Sequence, residues 1–138
     1  MNEIIEETKI ENMIYEIRGK QVMLDSDLAR LYECKNGTKS INLAVKRNMD
    51  RFPNNFYFQL TVEEYNNLWF QNETAINNKS RIMPYAFTEQ GIAMLSSVLR
   101  TDVAAKVSIK IMNAFVEMRK YVTNSIEQKY INNLVLKD

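Results

Sequence analysis

Positive charge is concentrated between residues 35 and 51. Asp50 is the only acidic residue there, and the cations are Lys35, Lys39, Lys46, Arg47 and Arg51. Five positive charges against one negative give this segment a formal charge of +4, whereas the whole chain carries +1. Lysine and arginine neutralise nucleic-acid phosphates, and the amide of an asparagine such as Asn42 can make a bidentate contact with adenine. These residue types suit DNA binding, although most runs of charge are only the solvated face of an ordinary helix.

One helix must position most of these side chains. The stretch "TKSINLAVKRNMDRF" predicts a helix that is capped by Thr38 and stopped by Pro53. At about 100° per residue, its inner face carries Ile41, Ala44, Val45, Asn48 and Phe52. Its polar face carries Lys39, Asn42, Leu43, Lys46 and Asp50, with Arg47 at the flank. The basic residues would therefore be presented together.

A shorter helix is predicted immediately before this one. The stretch "DLARLYE" begins beside Asp25 and Ser26, either of which can cap a helix, and Asn36-Gly37 after it is a strong turn signal. Several DNA-binding modules use a short helix, a glycine-containing turn and a second amphipathic helix to place side chains in the major groove. The turn here is longer than in the tightest such units. We predict a helix-turn-helix-like pair.

Two acidic pairs could in principle hold Mg²⁺ for a nuclease. They are Asp25 with Asp27, and Glu63 with Glu64. Both pairs stand at predicted helix starts, where carboxylates cap amides and favour the helix dipole, so capping is the better interpretation. The chain has no histidine, which removes the usual nucleophilic triads and zinc ligand sets. We expect neither enzymatic activity nor a cofactor.

The bulk properties favour a single domain with an extension. A chain of 138 residues with 46% hydrophobic composition can bury a substantial core. The one cysteine, Cys34, excludes an internal disulfide and a CxxC motif; Lys35 beside it could favour a thiolate, but a half-buried cysteine at a helix end is the simpler interpretation. The acidic N-terminus does not resemble a secretion signal, and no apolar run approaches the roughly 20 residues of a membrane span. We expect a cytoplasmic protein without membrane contact.

The remaining pattern predicts an α+β domain over residues 12–100, after a polar lead-in at 1–11. The predicted strands are short, antiparallel and packed on helices; they are 13–17 and 21–24, joined by a hairpin turn at 18–20, then 55–60 and 82–87. Thr61 and Glu64 form a capping box that opens a short helix, and residues 71–80 are expected to be an exposed loop.

The stretch "MPYAFTEQGIAMLSSVLR" combines polar and apolar residues in a way that resembles a site. We interpret it as a strand followed by a helix that runs to about residue 100. Thr88 is the predicted N-cap, Glu89 suits the helix dipole in the first turn, and Gly91 allows close packing. The expected buried stripe is Ile92, Leu95 and Leu99.

A long helix is predicted from residue 101 to about 122, and residues 123–138 either extend it or lead into something outside this chain. Its apolar stripe consists of Val107, Ile111, Ala114, Met118 and Tyr121. This stripe covers only about two heptads, so packing on the protein's own domain is the first interpretation. Ile109 and Met112 lie on the opposite side, and a homodimer contact would explain them. Region 101–138 therefore serves packing or dimerisation.

Three phrases of the chain, "IRGKQVMLDSDLARLY", "AVKRNMDRFPNNFYFQLT" and "MPYAFTEQGIAMLSSVLR", resemble in the same order the phage-type ORF-six-N domain family. That family is related to the KilA-N DNA-binding domains of phages and large DNA viruses. The resemblance covers roughly residues 13–100 and continues more loosely to about 122. It implies a compact α+β fold and DNA binding in phage antirepressor-like proteins and their bacterial relatives. It supplies no established contact residues.

We therefore expect a non-catalytic module for double-stranded DNA, in transcriptional regulation or antirepression by a phage or mobile element. The predicted contacts are Lys35, Lys39, Asn42, Lys46, Arg47 and Arg51, with Lys79 and Arg81 as a second, wing-like phosphate contact. A homodimer through the 102–122 helix would give two half-sites. The alternative is a protein-interaction module that binds a repressor protein rather than DNA; a nuclease is the least favoured.

Overall fold

The structure, a computed structural model, describes residues 9–71 and 82–136, with backbone alone for 71, 122–128 and 133–136. Its strands are β1 (Tyr15–Ile17), β2 (Lys20–Leu24), β3 (Tyr57–Gln59) and β4 (Tyr85–Thr88). Its helices are α1 (Asp25–Leu31), α2 (Thr38–Lys46), α3 (Val62–Gln71), α4 (Glu89–Leu99) and α5 (Asp102–Leu136), with a 3₁₀ turn at Met49–Arg51. The predicted α+β class, with a helix-turn-helix-like pair and a long helix near the C-terminus, is confirmed.

The four strands form one antiparallel sheet in the order β1-β2-β4-β3. Tyr15 faces Val22 across the first ladder, Met23 faces Phe87 across the second, and Phe87 faces Tyr57 across the third. The two central strands are therefore β2 and β4, which are far apart in sequence. Their pairing closes the domain around the helix pair that lies between them in the chain.

Helices cover both faces of the sheet, so the central strands are buried on both sides. Val22, Leu24 and Ala86 belong to the core beneath α3. Met23 and Phe87 alternate with them and point into the larger core, which α1, α2, α4 and α5 complete. Successive residues of β2 and β4 point into opposite cores. A register slip of one residue would therefore turn each side chain towards the wrong core.

The β1–β2 hairpin is attached to α3 through Arg18. Arg18 and Gly19 both have positive φ (57° and 71°), as a two-residue type I′ turn requires. The guanidinium of Arg18 lies 4.1 Å from the ring centre of Phe58 and donates to the carboxylate of Glu64 at 2.7 Å. Glu64 also accepts from the N–H of Thr61 at 2.8 Å, in the predicted capping box. The hydrogen bond from Arg18 lowers the pKa of Glu64 to about 2.

The joint between β4 and α4 depends on one buried hydroxyl. The Oγ1 of Thr88 accepts from the N–H of Gly91 at 3.3 Å, which confirms the predicted N-cap. The same hydroxyl lies 2.9 Å from the carbonyl oxygen of Asn55 and 3.1 Å from that of Phe56, to which it can donate. The backbone at Phe56 passes so close to α4 that position 91 requires glycine. An added Cβ there would lie 1.9 Å from the carbonyl oxygen of Phe56. The packing role predicted for Gly91 is confirmed.

Two predicted helix caps are wrong. The N-cap of α1 is Leu24, with no side-chain capping bond, whereas Asp25 or Ser26 was expected. The N-cap of α2 is Gly37, at φ 59°, and Thr38 is already the first helical residue. In both cases the chain enters the helix with its backbone already held by the preceding strand or turn. A capping side chain is therefore not what starts either helix.

The predicted extension of α2 to Phe52 is also wrong, because the helix ends at Lys46. The side-chain amide of Asn48 donates to the carbonyl oxygen of Ala44 at 2.8 Å and closes the helix end. The following 3₁₀ turn carries Phe52 inward, where its ring meets those of Tyr57 and Phe87 edge-on at 5.8 and 6.4 Å. Phe52 is thus buried as predicted, but it reaches the core after a 3₁₀ turn and not from the face of α2.

Helix α5 continues beyond residue 122 to Leu136, which is the extension that was one of the two alternatives for the tail. Its first half packs in the same core as the rest of the domain, through Ile111, Ala114 and Phe115. Packing on the protein's own domain, the first interpretation, is therefore confirmed for this half. Phe115 was missed by the predicted stripe, and Tyr121, at the end of that stripe, is exposed. The predicted loop at 71–80 lies outside the described residues except for Gln71, which belongs to α3.

Ile10 belongs to the core although it was placed in the polar lead-in. Residues 9–11 are helical, and residues 1–8 of that lead-in lie outside the described part. Among the described helices, none combines the length and apolar character that a membrane span requires.

Substitution of Gly91 by alanine is expected to destabilise the fold by about 1–3 kcal/mol, the usual cost of an overpacked core position. The new methyl group would displace the Phe56 carbonyl and with it the bonds to Thr88. Chemical denaturation of Gly91→Ala and wild type measures the difference. The neighbouring exposed Gln90→Ala on the same helix turn is the control, and equal stability of all three proteins would contradict the close approach.

The ion pair of Arg18 with Glu64 is expected to make the free energy of unfolding depend on pH in the acidic range. Because the folded-state pKa of Glu64 is about 2, below the unfolded value of about 4.3, its contribution is full above pH 4.3 and is lost as pH falls towards 2. For this exposed pair we expect at most about 1 kcal/mol. Glu64→Gln keeps the capping box and removes the charge.

The measurement is the free energy of unfolding of wild type and Glu64→Gln from pH 6 to pH 2, with the exposed Glu63→Gln as control. The difference between wild type and Glu64→Gln should shrink to nothing at the acid end. A difference that stays constant across this range would show that the ion pair is not its source.

Candidate nucleic-acid interface

The turn between α1 and α2 is held by backbone and side-chain contacts. Glu33 and Gly37 adopt positive φ values of 55° and 59°. The N–H of Cys34 donates to the carbonyl oxygen of Ala29 at 2.9 Å, which closes the end of α1. Tyr32 is buried, and its hydroxyl lies 3.0 Å from that of Ser108 on α5. Burial raises the pKa of Tyr32 to about 12, so the phenol stays neutral and keeps this hydrogen bond. The turn is thus fixed to the long helix.

Helix α2 packs its apolar side into the core and turns its polar side outward. Ile41 and Val45 are buried, whereas Lys39 and Lys46 are exposed, as the helical periodicity predicted. Asn42 is only half-buried and shares the side of Lys39 and Lys46. The residue singled out for adenine recognition therefore lies on the outward side of the helix.

The predicted cations occupy three consecutive elements. Lys35 lies in the turn, Lys39 and Lys46 lie on α2, Arg47 is the C-cap of that helix, and Arg51 ends the 3₁₀ turn. All five are exposed. Because α2 ends at Lys46, the last two do not continue the helical face on which they were predicted to lie. We call this set of five side chains the basic surface.

In the part that the structure describes, the basic surface lacks the ion pairs that Arg18, Arg30 and Arg119 form. Arg18 pairs with Glu64, Arg30 with Asp27 and Arg119 with Glu89. Within residues 9–71 and 82–136, by contrast, no carboxylate lies within ion-pair distance of any of the five cations. Their charge is therefore available to an external anion. Lys79 and Arg81, the predicted second contact, lie outside the described residues.

A groove of about 1260 Å³ runs beside the basic surface, between α1 and α2. Lys39, Asn42 and Lys46 of α2 line it, together with residues 82–85. Arg30 lines it from α1. Arg30 was missed by sequence reasoning, although its position three residues after Asp27 is a spacing at which helical side chains pair.

Asp25 and Asp27 lie at the start of α1 beside this groove, and both are buried. Desolvation by burial raises the pKa of each carboxyl group, while hydrogen bonds oppose the shift. Asp25 accepts from the backbone N–H of Tyr85 at 3.3 Å, and Asp27 pairs with Arg30. Neither carboxylate caps α1 as predicted, since each is occupied by a tertiary or ion-pair partner. In the described part of the chain, no three acidic or cysteine side chains gather where a metal ion could bind.

Cys34 follows α1 and is half-buried, as predicted. Burial raises the pKa of its thiol, which disfavours the thiolate. This agrees with the simpler interpretation of a half-buried cysteine at a helix end.

The ORF6N domain family matches residues 12–98, well over half of the chain. This range begins before β1, includes the helix pair and the basic surface, and ends within α4. No curated protein and no solved structure is detectably similar to the chain. On the strength of this match, which coincides with the phrases that carried the sequence resemblance, the chain belongs to the ORF6N domain family.

Proposed function

We propose that the protein is a non-catalytic module that binds double-stranded DNA in the gene regulation of a phage or mobile element. The observation that carries the proposal is the basic surface, with five exposed cations on three consecutive elements and no ion-pair partner in the described part of the chain. Cations arranged in this way can replace the counterions of a phosphate backbone. The DNA binding implied by the family resemblance gives independent support.

In this proposal α2 is the recognition helix of the pair. Lys39, Asn42, Lys46 and Arg47 approach the base edges, and Lys35 and Arg51 contact phosphates on either side. Arg30 is added to the phosphate contacts, because it lines the same groove from the first helix and most of its side chain is exposed. Lys79 and Arg81 form the second, wing-like contact.

A homodimer through α5 belongs to the same proposal and would supply two half-sites. Ile109 and Val116 are 64% and 40% exposed on this helix, seven residues apart, although the helix packs its other side into the core. Met112, the other residue expected on this face, is partly buried against the core. Exposed apolar side chains one heptad apart lie on the same side of a helix, where a second helix could cover both.

A second candidate function is a protein-interaction module that sequesters a repressor protein. The same exposed apolar side chains of α5, extended by Tyr121, Tyr130 and Ile131, favour it. This candidate expects weak association with DNA that is insensitive to salt, together with a tight protein complex through α5.

Removal of two cations is expected to weaken DNA binding and to flatten its salt dependence. Each lost phosphate contact reduces the slope of log K against log salt by about 0.9, so Lys46→Glu with Arg47→Glu should reduce it by about 2. Duplex binding measured by fluorescence anisotropy across a salt series provides the slopes.

The matched control is Lys20→Glu with Lys129→Glu, the same charge change at exposed lysines of β2 and α5. It should retain the wild-type slope. Binding by Lys46→Glu/Arg47→Glu that equals wild type at every salt concentration would rule out the basic surface as the DNA contact.

Charged residues on the exposed side of α5 are expected to abolish the homodimer. Ile109→Asp with Val116→Asp places two carboxylates on the proposed seam, where they would be desolvated without partners. Light scattering coupled to size exclusion should give a dimer mass for wild type and a monomer mass for the variant. The control is Asn66→Asp with Asn67→Asp, which adds the same two negative charges at exposed positions of α3, on the other side of the sheet. A wild-type monomer at all concentrations would exclude the dimer.

A further inference from the structure

Asp27 and Arg30 form an ion pair that is buried at one end and exposed at the other. Both residues belong to α1, three positions apart, and Nη2 of Arg30 donates to Oδ1 of Asp27. The Asp27 side chain is 8% exposed, whereas the Arg30 side chain is 68% exposed. The carboxyl group is therefore fixed in the protein interior, and from there it holds a guanidinium group that lies at the surface.

The ion pairs of Arg18 with Glu64 and of Arg119 with Glu89 have a different role. Each of them joins two elements, and the two carboxylate side chains are 21% and 32% exposed. The pair in α1 joins no two elements, because both partners lie on one helix of seven residues. As a stabiliser of α1 alone, an exposed carboxylate three residues before Arg30 would serve as well, without the cost of burying a polar group.

The bond to Asp27 leaves most of the guanidinium group available to a ligand. An arginine has five N–H donors in a rigid planar fork, which suits the oxygens of a phosphate. A carboxyl oxygen can accept from this fork whether the acid is ionised or protonated, so the contact does not depend on the charge of Asp27. An arginine loses much rotational freedom when a ligand immobilises it. A bond that already restrains Arg30 in the free protein reduces this loss on binding.

The position of Arg30 suits a contact with the DNA backbone. Arg30 lines the groove that Lys39 and Lys46 line from α2. It lies on the helix before the proposed recognition helix, and in helix-turn-helix proteins this first helix crosses the phosphate backbone. The cations of the basic surface would be ordered only when DNA binds. Arg30 differs from them because a bond within α1 already restrains its side chain.

We propose that Arg30 is a phosphate contact that the protein orients before DNA arrives, and that Asp27 is the positioning residue that orients it. The inference rests on the proposed DNA binding and names, within it, a residue that sets affinity without touching the DNA. Arg30 donates to a phosphate oxygen, and Asp27 acts only through Arg30.

The experiment measures duplex affinity across a salt series for wild type, Arg30→Ala, Asp27→Ala and the double variant. Arg30→Ala removes one phosphate contact and should reduce the slope of log K against log salt by about 0.9. Asp27→Ala keeps that contact but releases Arg30, so it should keep the slope and lower the affinity by about two- to tenfold. In the double variant, the change at Asp27 should cause no loss beyond that of Arg30→Ala.

The matched control is Glu33→Gln, at an exposed acidic residue that lines the same groove. Loss of a negative charge near DNA favours binding, so this variant should bind at least as tightly as wild type. Any loss of charge in Asp27→Ala acts in the same direction, and weaker binding by Asp27→Ala therefore cannot come from charge. Asp27→Asn, which keeps an acceptor oxygen for Arg30, should recover most of the wild-type affinity.

A merely structural role of Asp27 gives a different pattern. The affinity loss of Asp27→Ala would then persist in the Arg30→Ala background, and this outcome would overturn the inference. An Arg30→Ala variant with the wild-type slope and affinity would overturn it as well.

NMR of the free wild-type protein tests the orientation of Arg30 even if Asp27→Ala fails to fold. On the picosecond-to-nanosecond timescale, the Nε–H group of Arg30 should be more ordered than those of Arg47 and Arg51 in the basic surface. Equal mobility of the three groups would contradict the orientation of Arg30 by Asp27.

The outcomes separate the two levels of the proposal. A wild-type protein that does not bind duplex DNA, or binds it without salt dependence, contradicts the proposed function and the inference with it. If Lys46→Glu with Arg47→Glu flattens a steep wild-type slope while Asp27→Ala keeps wild-type affinity, the inference alone is contradicted.

Discussion

Where β4 passes into α4, the Oγ1 of Thr88 accepts from the N–H of Gly91 and lies within hydrogen-bonding distance of the carbonyls of Asn55 and Phe56. The backbone N–H of Thr88 donates to the Phe56 carbonyl at 3.0 Å as well. These bonds hold the chain just after the 3₁₀ turn against the end of the central strand. Before this segment, at the end of α1, Tyr32 meets Ser108 on α5. The segment with the basic surface is therefore fixed at both ends by buried hydroxyls.

This arrangement separates the residues that hold the fold from those available for binding. Arg18 and Arg119 each pair with a carboxylate and join two elements, the hairpin to α3 and α4 to α5. The cations of the basic surface join nothing within the described ranges. Exposed ion pairs contribute at most about 1 kcal/mol to stability. The main effect of the pairs at Arg18 and Arg119 is therefore to fix the geometry of the elements that they join. A cation without a partner keeps its conformational freedom, and no neighbouring carboxylate offsets its charge.

Some features that depend on neighbours in sequence could be predicted, although the caps of α1 and α2 could not, and those that depend on distant contacts could not. The capping box of Thr61 and Glu64 and the N-cap at Thr88 each follow from a three-residue spacing. The early end of α2 depends on where Phe52 meets Phe87, a residue from another strand.

The same limit applies to the candidate site. The exposure of Lys39 and Lys46 follows from helical periodicity alone. The hydrogen bond from the Tyr85 N–H to Asp25 does not, since these residues meet only when α1 packs beside the sheet. Local patterns thus predicted which elements form and which residues face outward. They did not predict which polar side chains meet inside, because that is decided by the assembled sheet and helices.

The basic surface also has a consequence for the molecule as a whole. Subtracting the +4 of residues 35–51 from the +1 of the entire chain leaves −3 for the remainder. The protein is therefore nearly neutral but carries a charge asymmetry, with the face around α2 positive relative to the rest. A highly charged polyanion would exert little net pull on such a molecule and would instead exert a torque that rotates it until this face leads. Orientation, more than attraction, is what this distribution of charge supplies before any contact is made.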